Sequence, residues 1–300
     1  MAQIFITGGT GFVGDAMLPA LLASGHQLTV LTRSLAKAKA RHGALADQIQ
    51  YVDQIQALSD MPDAVINLAG LGIADARWTD RRKRELRSSR VTLTEQLVSH
   101  LQNLPGQPQV VISGSAVGYY GAHTDEVVTE SDAPSWDFAA RLCSDWEAAI
   151  QPLATEVTRV YRLRIGVVLG RPGGFLGRLE LPFRLGLGGP LGTGKQMLSW
   201  IHRDDLVRMI LWCLDGRPPA GAYNATAPHP VSNAQFTKAL GHVLHRPTVF
   251  RVPERPMRWV LGELAGLLFE GQAVIPAAAM AEGFTFNHPD MDAALDDLFC

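Results

Sequence analysis

Cysteine is scarce in this chain: Cys143, Cys213 and Cys300 are the only three in 300 residues. An odd, widely spaced set supports neither a disulfide framework nor a zinc site, and no His/Cys/Asp cluster has metal-ligand spacing, so no metal is expected. The thiols are expected to be reduced, which places the protein in the cytoplasm. Excess charge is also missing. Lys and Arg total 27 against 29 Asp and Glu, a formal net charge of −2, and a nucleic-acid binder would show a basic face. The one short basic run, Arg81-Arg82-Lys83-Arg84, is bounded by Asp80 and Glu85 and reads as a solvated helix start. No stretch reaches the roughly 18 apolar residues of a membrane span, and no signal-peptide pattern precedes the strand-like run Gln3–Thr7. The expected partner is therefore a small-molecule substrate, with no nucleic acid and no membrane; a homo-oligomer is left open.

What is present is a core. Hydrophobic residues make up 47% and charged residues 19%, the balance of a folded globular chain. Up to residue 165, short Val/Ile-rich runs alternate with helical patterns. The strand candidates are 3–7, 28–32, 50–52, 64–68, 109–113 and 157–165; the helix candidates are 12–23, 80–101 and 137–153. Apolar runs without alternation suit strands buried on both faces, and strand–helix alternation implies a parallel sheet. The fold class expected is α/β, a Rossmann-type doubly wound parallel sheet with a smaller mixed C-terminal cap. Residues 1–168 form the dinucleotide-binding domain, with 201–228 returning to it. Residues 169–200, rich in glycine and proline around a short helix, and 229–300 form the substrate-binding cap.

The strongest local signal is Thr7-Gly8-Gly9-Thr10-Gly11-Phe12-Val13-Gly14. It joins an apolar strand to an apolar helix. Gly8 permits the tight turn, Gly11 lets backbone approach a pyrophosphate, and Gly14 lets the helix pack closely. Phosphates then meet open N–H groups at the positive end of the helix. An acidic residue about 20 positions further on would hold the ribose 2′-hydroxyl of NAD. None occurs from Ala16 to Ala46, and Arg33-Ser34 stands there, followed by Lys37, Lys39 and Arg41. A guanidinium suits a 2′-phosphate, so NADP(H) is expected over NAD(H). Asn67-Leu68-Ala69-Gly70 ends the fourth strand, where a parallel sheet receives its ligand and a small Ala-Gly pair leaves room for adenine and ribose. The expected cofactor residues are Thr7, Gly8, Gly11, Phe12, Val13, Gly14, Arg33, Ser34, Asn67, Leu68, Ala69, Gly70 and Arg90. Gly189–Lys195 mimics a phosphate-binding loop, but Gln196 replaces the hydroxyl residue and no strand-to-helix junction is read there. His202 reads as a packing histidine.

These residues resemble the extended short-chain dehydrogenase/reductase superfamily, over nearly the whole chain. The glycine motif, Asn67-Leu68-Ala69-Gly70 and Trp200-Ile201-His202-Arg203-Asp204-Asp205-Leu206 look like its epimerase and dehydratase branch. More narrowly, 73–78, 115–121, 181–192 and 224–228 look like an epimerase-like family with its own C-terminal domain of unknown function. The resemblance implies a Ser or Thr holding the substrate oxygen and a Tyr as acid/base, its pKa lowered by a Lys four residues on. The serine region is present as 113–121, and Ser115 is favoured over Ser113. The Tyr-x-x-x-Lys element is absent: Ala139 and Cys143 occupy its two positions, and no Lys occurs between Lys83 and Lys195. Arg90 stands where the branch commonly has Asn. Replacements are expected from Tyr120 as the proton-transfer residue, with Tyr119 beside it and Arg90 or Arg164 supplying a positive field. Arg164 and Arg184 are placed toward substrate. Two readings follow: an NADP(H)-dependent epimerase-like oxidoreductase acting on a small hydroxyl- or carbonyl-bearing substrate, and a dinucleotide-binding sensor or partner-binding protein that has lost catalysis.

Overall fold

The computed structural model describes residues 1–122 and 126–300. Seven strands form one parallel sheet: β1 (Gln3–Thr7), β2 (Gln27–Leu31), β3 (Ile49–Val52), β4 (Ala64–Asn67), β5 (Val110–Ala116), β6 (Arg159–Ile165) and β7 (Gly221–Ala225). Their spatial order is 7-6-5-4-1-2-3, so the order reverses between β1 and β4, beside the glycine turn. A crevice at such a switch point is where open α/β sheets take ligands.

Alternate residues of each strand feed two cores. Ile4, Ile6, Ile66, Ile112 and Leu163 pack on one face with Met17, Leu18 and Leu21 of α1 (Phe12–Ala23). Phe5, Val65, Val111 and Val160 pack on the other with Leu97, Val98 and Leu101. Burial on both faces explains why the strands read as unbroken apolar runs. Helix α2 (Leu35–His42) escapes a periodicity search because only Ala38 of its eight residues is buried. Its start is fixed by Ser34, whose side chain accepts the Lys37 N–H.

The long third helix spans 80–102 but is not uniform. It runs as α-helix over Asp80–Arg87, widens to π over Ser88–Thr92, and resumes over Leu93–Gln102. Arg90 lies at the middle of the widened turn, and such π segments recur at functional sites. Helix α4 (Phe138–Ile150) is capped by Asp137, which accepts the Ala140 N–H at 2.9 Å. Beyond β6, α5 (Gly174–Arg184) and α6 (Arg203–Leu214) precede β7. Leu176, Phe183, Trp200, Phe236, Leu240 and Leu295 build a third, separate core in the C-terminal part. No helix among the described residues is long and apolar enough to cross a membrane.

Candidate active site

Sheet register places the polar residues in two rows. Thr7 lies beside Asn67, and Asn67 beside Ser113. Nearer the strand ends, Ser115 lies beside Arg164, and Arg164 beside Asn224. Same-register neighbours in a sheet share a face, and each row becomes a hydrogen-bonded chain.

The first row braces the glycine turn. Gly8 has φ +78°, and a Cβ there would lie 2.6 Å from the Leu68 carbonyl carbon. Gly11 N–H donates to the Gly8 carbonyl at 3.0 Å. A Cβ on Gly14 would run into the Gly8 and Gly9 carbonyl oxygens. Gly14 therefore admits the turn's own backbone. Gly11 caps α1 without a side-chain acceptor, so the first N–H groups of Phe12 and Val13 are open to an anion. Beneath the turn, Thr7 Oγ1 donates to Asn67 Oδ1 at 2.7 Å and accepts the Ala69 N–H at 3.1 Å. Asn67 Nδ2 donates to Thr94 Oγ1 at 2.8 Å and Ser113 Oγ at 3.3 Å. With its side chain buried and fully committed, Asn67 holds the crevice wall, contrary to its expected place as a cofactor contact. The backbone of Leu68, Ala69 and Gly70 remains to line the crevice.

Arg33 is exposed at the junction of β2 and α2. Arg41 is ion-paired with Asp15 of α1, and His42 joins the same carboxylate at 3.1 Å, so Arg41 is engaged elsewhere. Arg90 passes under the β4 exit. Its Nη2 donates to the Leu71 carbonyl at 2.8 Å, its guanidinium lies 5.4 Å from the Trp146 ring centroid, and a Cβ on Gly70 would sit 2.8 Å from its Cζ. Burial pulls the Arg90 pKa down from its ordinary value.

The second row is a buried charge network. Arg164 meets Glu147 of α4 in two parallel bonds, Nε to Oε1 at 2.9 Å and Nη2 to Oε2 at 3.0 Å. Ser115 Oγ donates to Glu147 Oε1 at 2.7 Å. Tyr120 OH donates to Asn224 Oδ1 at 2.6 Å and accepts from Arg164 Nη1 at 2.8 Å. Burial alone would depress the Arg164 pKa, but the Glu147 bonds outweigh it and the net shift is upward. Glu130 extends the network, its Oε1 and Oε2 accepting the Asn224 and Ala278 N–H groups at 2.9 and 3.1 Å.

This geometry corrects the role expected for Tyr120. Its side chain is fully buried, at 0% exposure, and burial pushes its pKa up to about 12 against the opposing Arg164 bond. Both of its hydrogen-bonding directions are filled, so it braces β5 against β6 and β7. Tyr119 is the partly exposed tyrosine, with the Arg164 guanidinium 3.6 Å from its ring centroid. Arg164 itself is turned inward to Glu147 rather than toward a substrate. Arg184 is exposed and ion-paired with Glu180 one turn back at 2.9 Å. Cys143, at the lysine position, is buried, and burial raises its pKa to about 12, so it is a neutral thiol.

Two features escaped the sequence reading. The first is Glu147 and its pairing with Arg164, which the sequence had placed toward substrate; Arg159, Arg162, Arg141 and Asp145 share the same two elements, so no isolated charge marked the pair. The second is a meeting of His202, His288 and Asp297, whose candidate ligand atoms lie within 4.8 Å of one another. His202 Nδ1 accepts the Asp204 N–H at 3.2 Å, so the neutral ring carries its proton on Nε2. Burial and the neighbouring His288 lower its pKa. An Nε2–H has no lone pair for a cation, so the cluster reads as packing around a helix cap.

A glycine turn at the switch point of a seven-stranded parallel sheet defines a Rossmann-type dinucleotide-binding protein. The chain belongs to the NAD dependent epimerase/dehydratase family, which matches residues 4–225, and carries a DUF1731 domain of unknown function over 252–298. It is 38% identical to the Arabidopsis thaliana chloroplastic homolog of epimerase family protein SDR39U1, over 97% of this chain and 85% of the relative. It is 35% identical to the Bacillus subtilis epimerase family protein YfhF, over 99% of this chain and 97% of that protein. The human SDR39U1 crystal structure with NADPH superposes with a TM-score of 0.89 at 34% identity, covering 99% of this chain and 98% of that one. The chain is thus an NAD(P)-binding member of the epimerase family.

Proposed function

We propose that this protein binds NADP(H) in preference to NAD(H) and catalyses hydride transfer with a small hydroxyl- or carbonyl-bearing substrate held under a cap of residues 169–200 and 229–300. The observation that carries the cofactor reading is the pairing of a glycine-rich turn at the α1 N-terminus with an exposed Arg33 where an NAD site would carry a carboxylate. The residues present fit the group: open N–H groups for the diphosphate, the Leu68–Gly70 backbone for adenine and ribose, Arg33 for the 2′-phosphate. The NADPH in the human relative supports the same reading. When bound, the nicotinamide supplies the hydride donor or acceptor; the protein supplies orientation and electrostatics.

Ser115 is the residue assigned to the substrate oxygen. Its proton is committed to Glu147, and a carboxylate held by Arg164 only accepts. Ser115 is itself buried, at 3% exposure, and with its proton committed it is left to meet a ligand oxygen as an acceptor once its neighbours shift, which suits a substrate hydroxyl better than a carbonyl. Calorimetric titration with NADPH and NADH tests the cofactor half, and tighter NADPH binding is expected. Oxidation of a panel of alcohols with NADP+, followed at the reduced nicotinamide absorbance, tests the chemical half.

A second reading is favoured by one specific observation. The two proton-relay positions hold Ala139 and a buried, neutral Cys143, the pattern expected of a dinucleotide sensor without catalysis. NADPH binding with no turnover across the panel would select it.

A further inference from the structure

Arg203 is the first residue of α6. Helix N-termini favour acidic side chains, and Asp204 and Asp205 follow that rule; Arg203 opposes it. Its guanidinium lies 5.1 Å from the ring centroid of Phe12, the first residue of α1. The cation therefore stands at the start of one helix and over the start of another, in both cases at the positive end. Its stem is fixed there, because Gly170 fits between the two: a Cβ on Gly170 would lie 3.0 Å from both Arg203 Cβ and Phe12 Cζ.

Among the described residues no acceptor meets this guanidinium. Arg203 Nε is buried without a hydrogen-bond partner among the described residues. Among the described residues no carboxylate, the adjacent Asp204 included, forms an ion pair with Arg203. Glu180 pairs with Arg171 and Arg184. Asp205 takes Arg208 and the backbone N–H groups of Asn287 and His288 at 2.9 and 2.8 Å. A buried donor such as Arg203 Nε is costly to leave without an acceptor, and an anion delivered from outside to the mouth of α1 would supply one.

We propose that Arg203 is a cofactor-binding residue whose guanidinium contacts the diphosphate bridge of the dinucleotide. This rests on the dinucleotide reading above and adds to it a side-chain contact from the far side of the crevice. The glycine turn supplies backbone donors from below; Arg203, carried by the segment after Trp200–His202, supplies charge from above. A diphosphate contact is shared by NADP and NAD, so Arg203 sets overall affinity and Arg33 sets the choice between the two.

The test uses the full chain, with Arg203→Met to keep the stem and remove the charge, and Arg203→Lys to retain a cation. Three probes are titrated by calorimetry: NADPH, ADP-ribose, which has the diphosphate but no 2′-phosphate, and 2′-AMP, which has no diphosphate. Arg203→Met is expected to weaken NADPH and ADP-ribose alike by about tenfold or more, the scale of one charge-assisted hydrogen bond, and to leave 2′-AMP unchanged. Arg203→Lys is expected to recover part of the loss. Unchanged affinity for NADPH and ADP-ribose in Arg203→Met overturns the assignment, as does an equal loss for 2′-AMP. Wild-type protein that binds none of the probes would instead bring down the dinucleotide reading itself.

Discussion

The glycine turn after β1 and the polar corner at the end of β5 lie at the same carboxyl edge of the sheet and are built on opposite principles. The turn is made of backbone: Gly8 and Gly14 exclude a Cβ because carbonyl groups occupy the space, and donors are left pointing outward. The corner is made of side chains that satisfy one another, with Ser115, Glu147, Arg164, Tyr120 and Asn224 joined in a continuous chain. The turn needs a ligand to complete its hydrogen bonds; the corner is complete without one. The cofactor turn is thus built to take a ligand, whereas every member of the corner is buried and hydrogen-bonded within the protein.

The comparison breaks most visibly at Gly8. Alanine there meets the Leu68 backbone at a φ of +78°, a conformation L-residues avoid, with no flexible neighbour to yield. Gly8→Ala is expected to abolish measurable NADPH binding in calorimetry. Retention of wild-type affinity would mean that the crevice wall moves freely.

The corner breaks next. Arg164→Met leaves Glu147 buried and unpaired, which costs about 3–5 kcal/mol of stability. Adding Glu147→Leu is expected to recover more than half of that in denaturant melts, because replacing both charges by apolar groups is often near neutral. A double variant no better than the single would show that Ser115 and Tyr120 depend on the pair for more than charge balance.

These two regions also differ in how far the sequence discloses them. Steric demand at a turn is local, so Gly8, Gly11 and Gly14 announce themselves within eight residues. The parallel sheet is equally legible, because Ile4, Phe5, Ile6 and their counterparts are buried on both faces. The corner is not legible, because its partners meet only through sheet register and α4: Tyr120 reaches Asn224 across 104 positions and Ser115 reaches Glu147 across 32. A phenol beside a catalytic serine region looks like an acid/base from sequence alone; only the Asn224 and Arg164 bonds reveal a brace. Arg90 illustrates the middle case. The resemblance singles it out, standing where the branch commonly has Asn, but the π turn that carries it and its bond to the Leu71 carbonyl were not legible.

Arg33 sharpens the turn side of the comparison. Arg33→Ala is expected to weaken NADPH by about tenfold, one exposed charge-assisted contact, and to leave NADH unchanged. Side-by-side titrations decide this, and equal losses for both cofactors would move Arg33 away from the 2′-phosphate.

Tyr120→Phe is the smallest change and the most discriminating one for the corner. Removing one hydroxyl leaves Asn224 Oδ1 without its donor and is expected to cost about 1 kcal/mol. The effect carries a pH signature. The folded-state pKa of Tyr120 stands at about 12, above the ordinary phenol value of about 10. The folded chain therefore keeps a proton that the unfolded chain releases first, and the stability this contributes is fully present below pH ~10 and is lost as pH rises toward ~12. The stability gap between wild type and Tyr120→Phe should be constant near neutrality and shrink across that alkaline window. A brace also predicts that any turnover found in the alcohol panel survives the substitution, since Asn224 and Arg164 already take both hydrogen-bonding directions of the phenol. A fall of about a hundredfold or more, the scale of a lost acid/base group, with stability unchanged, would return Tyr120 to the reaction and open the corner after all.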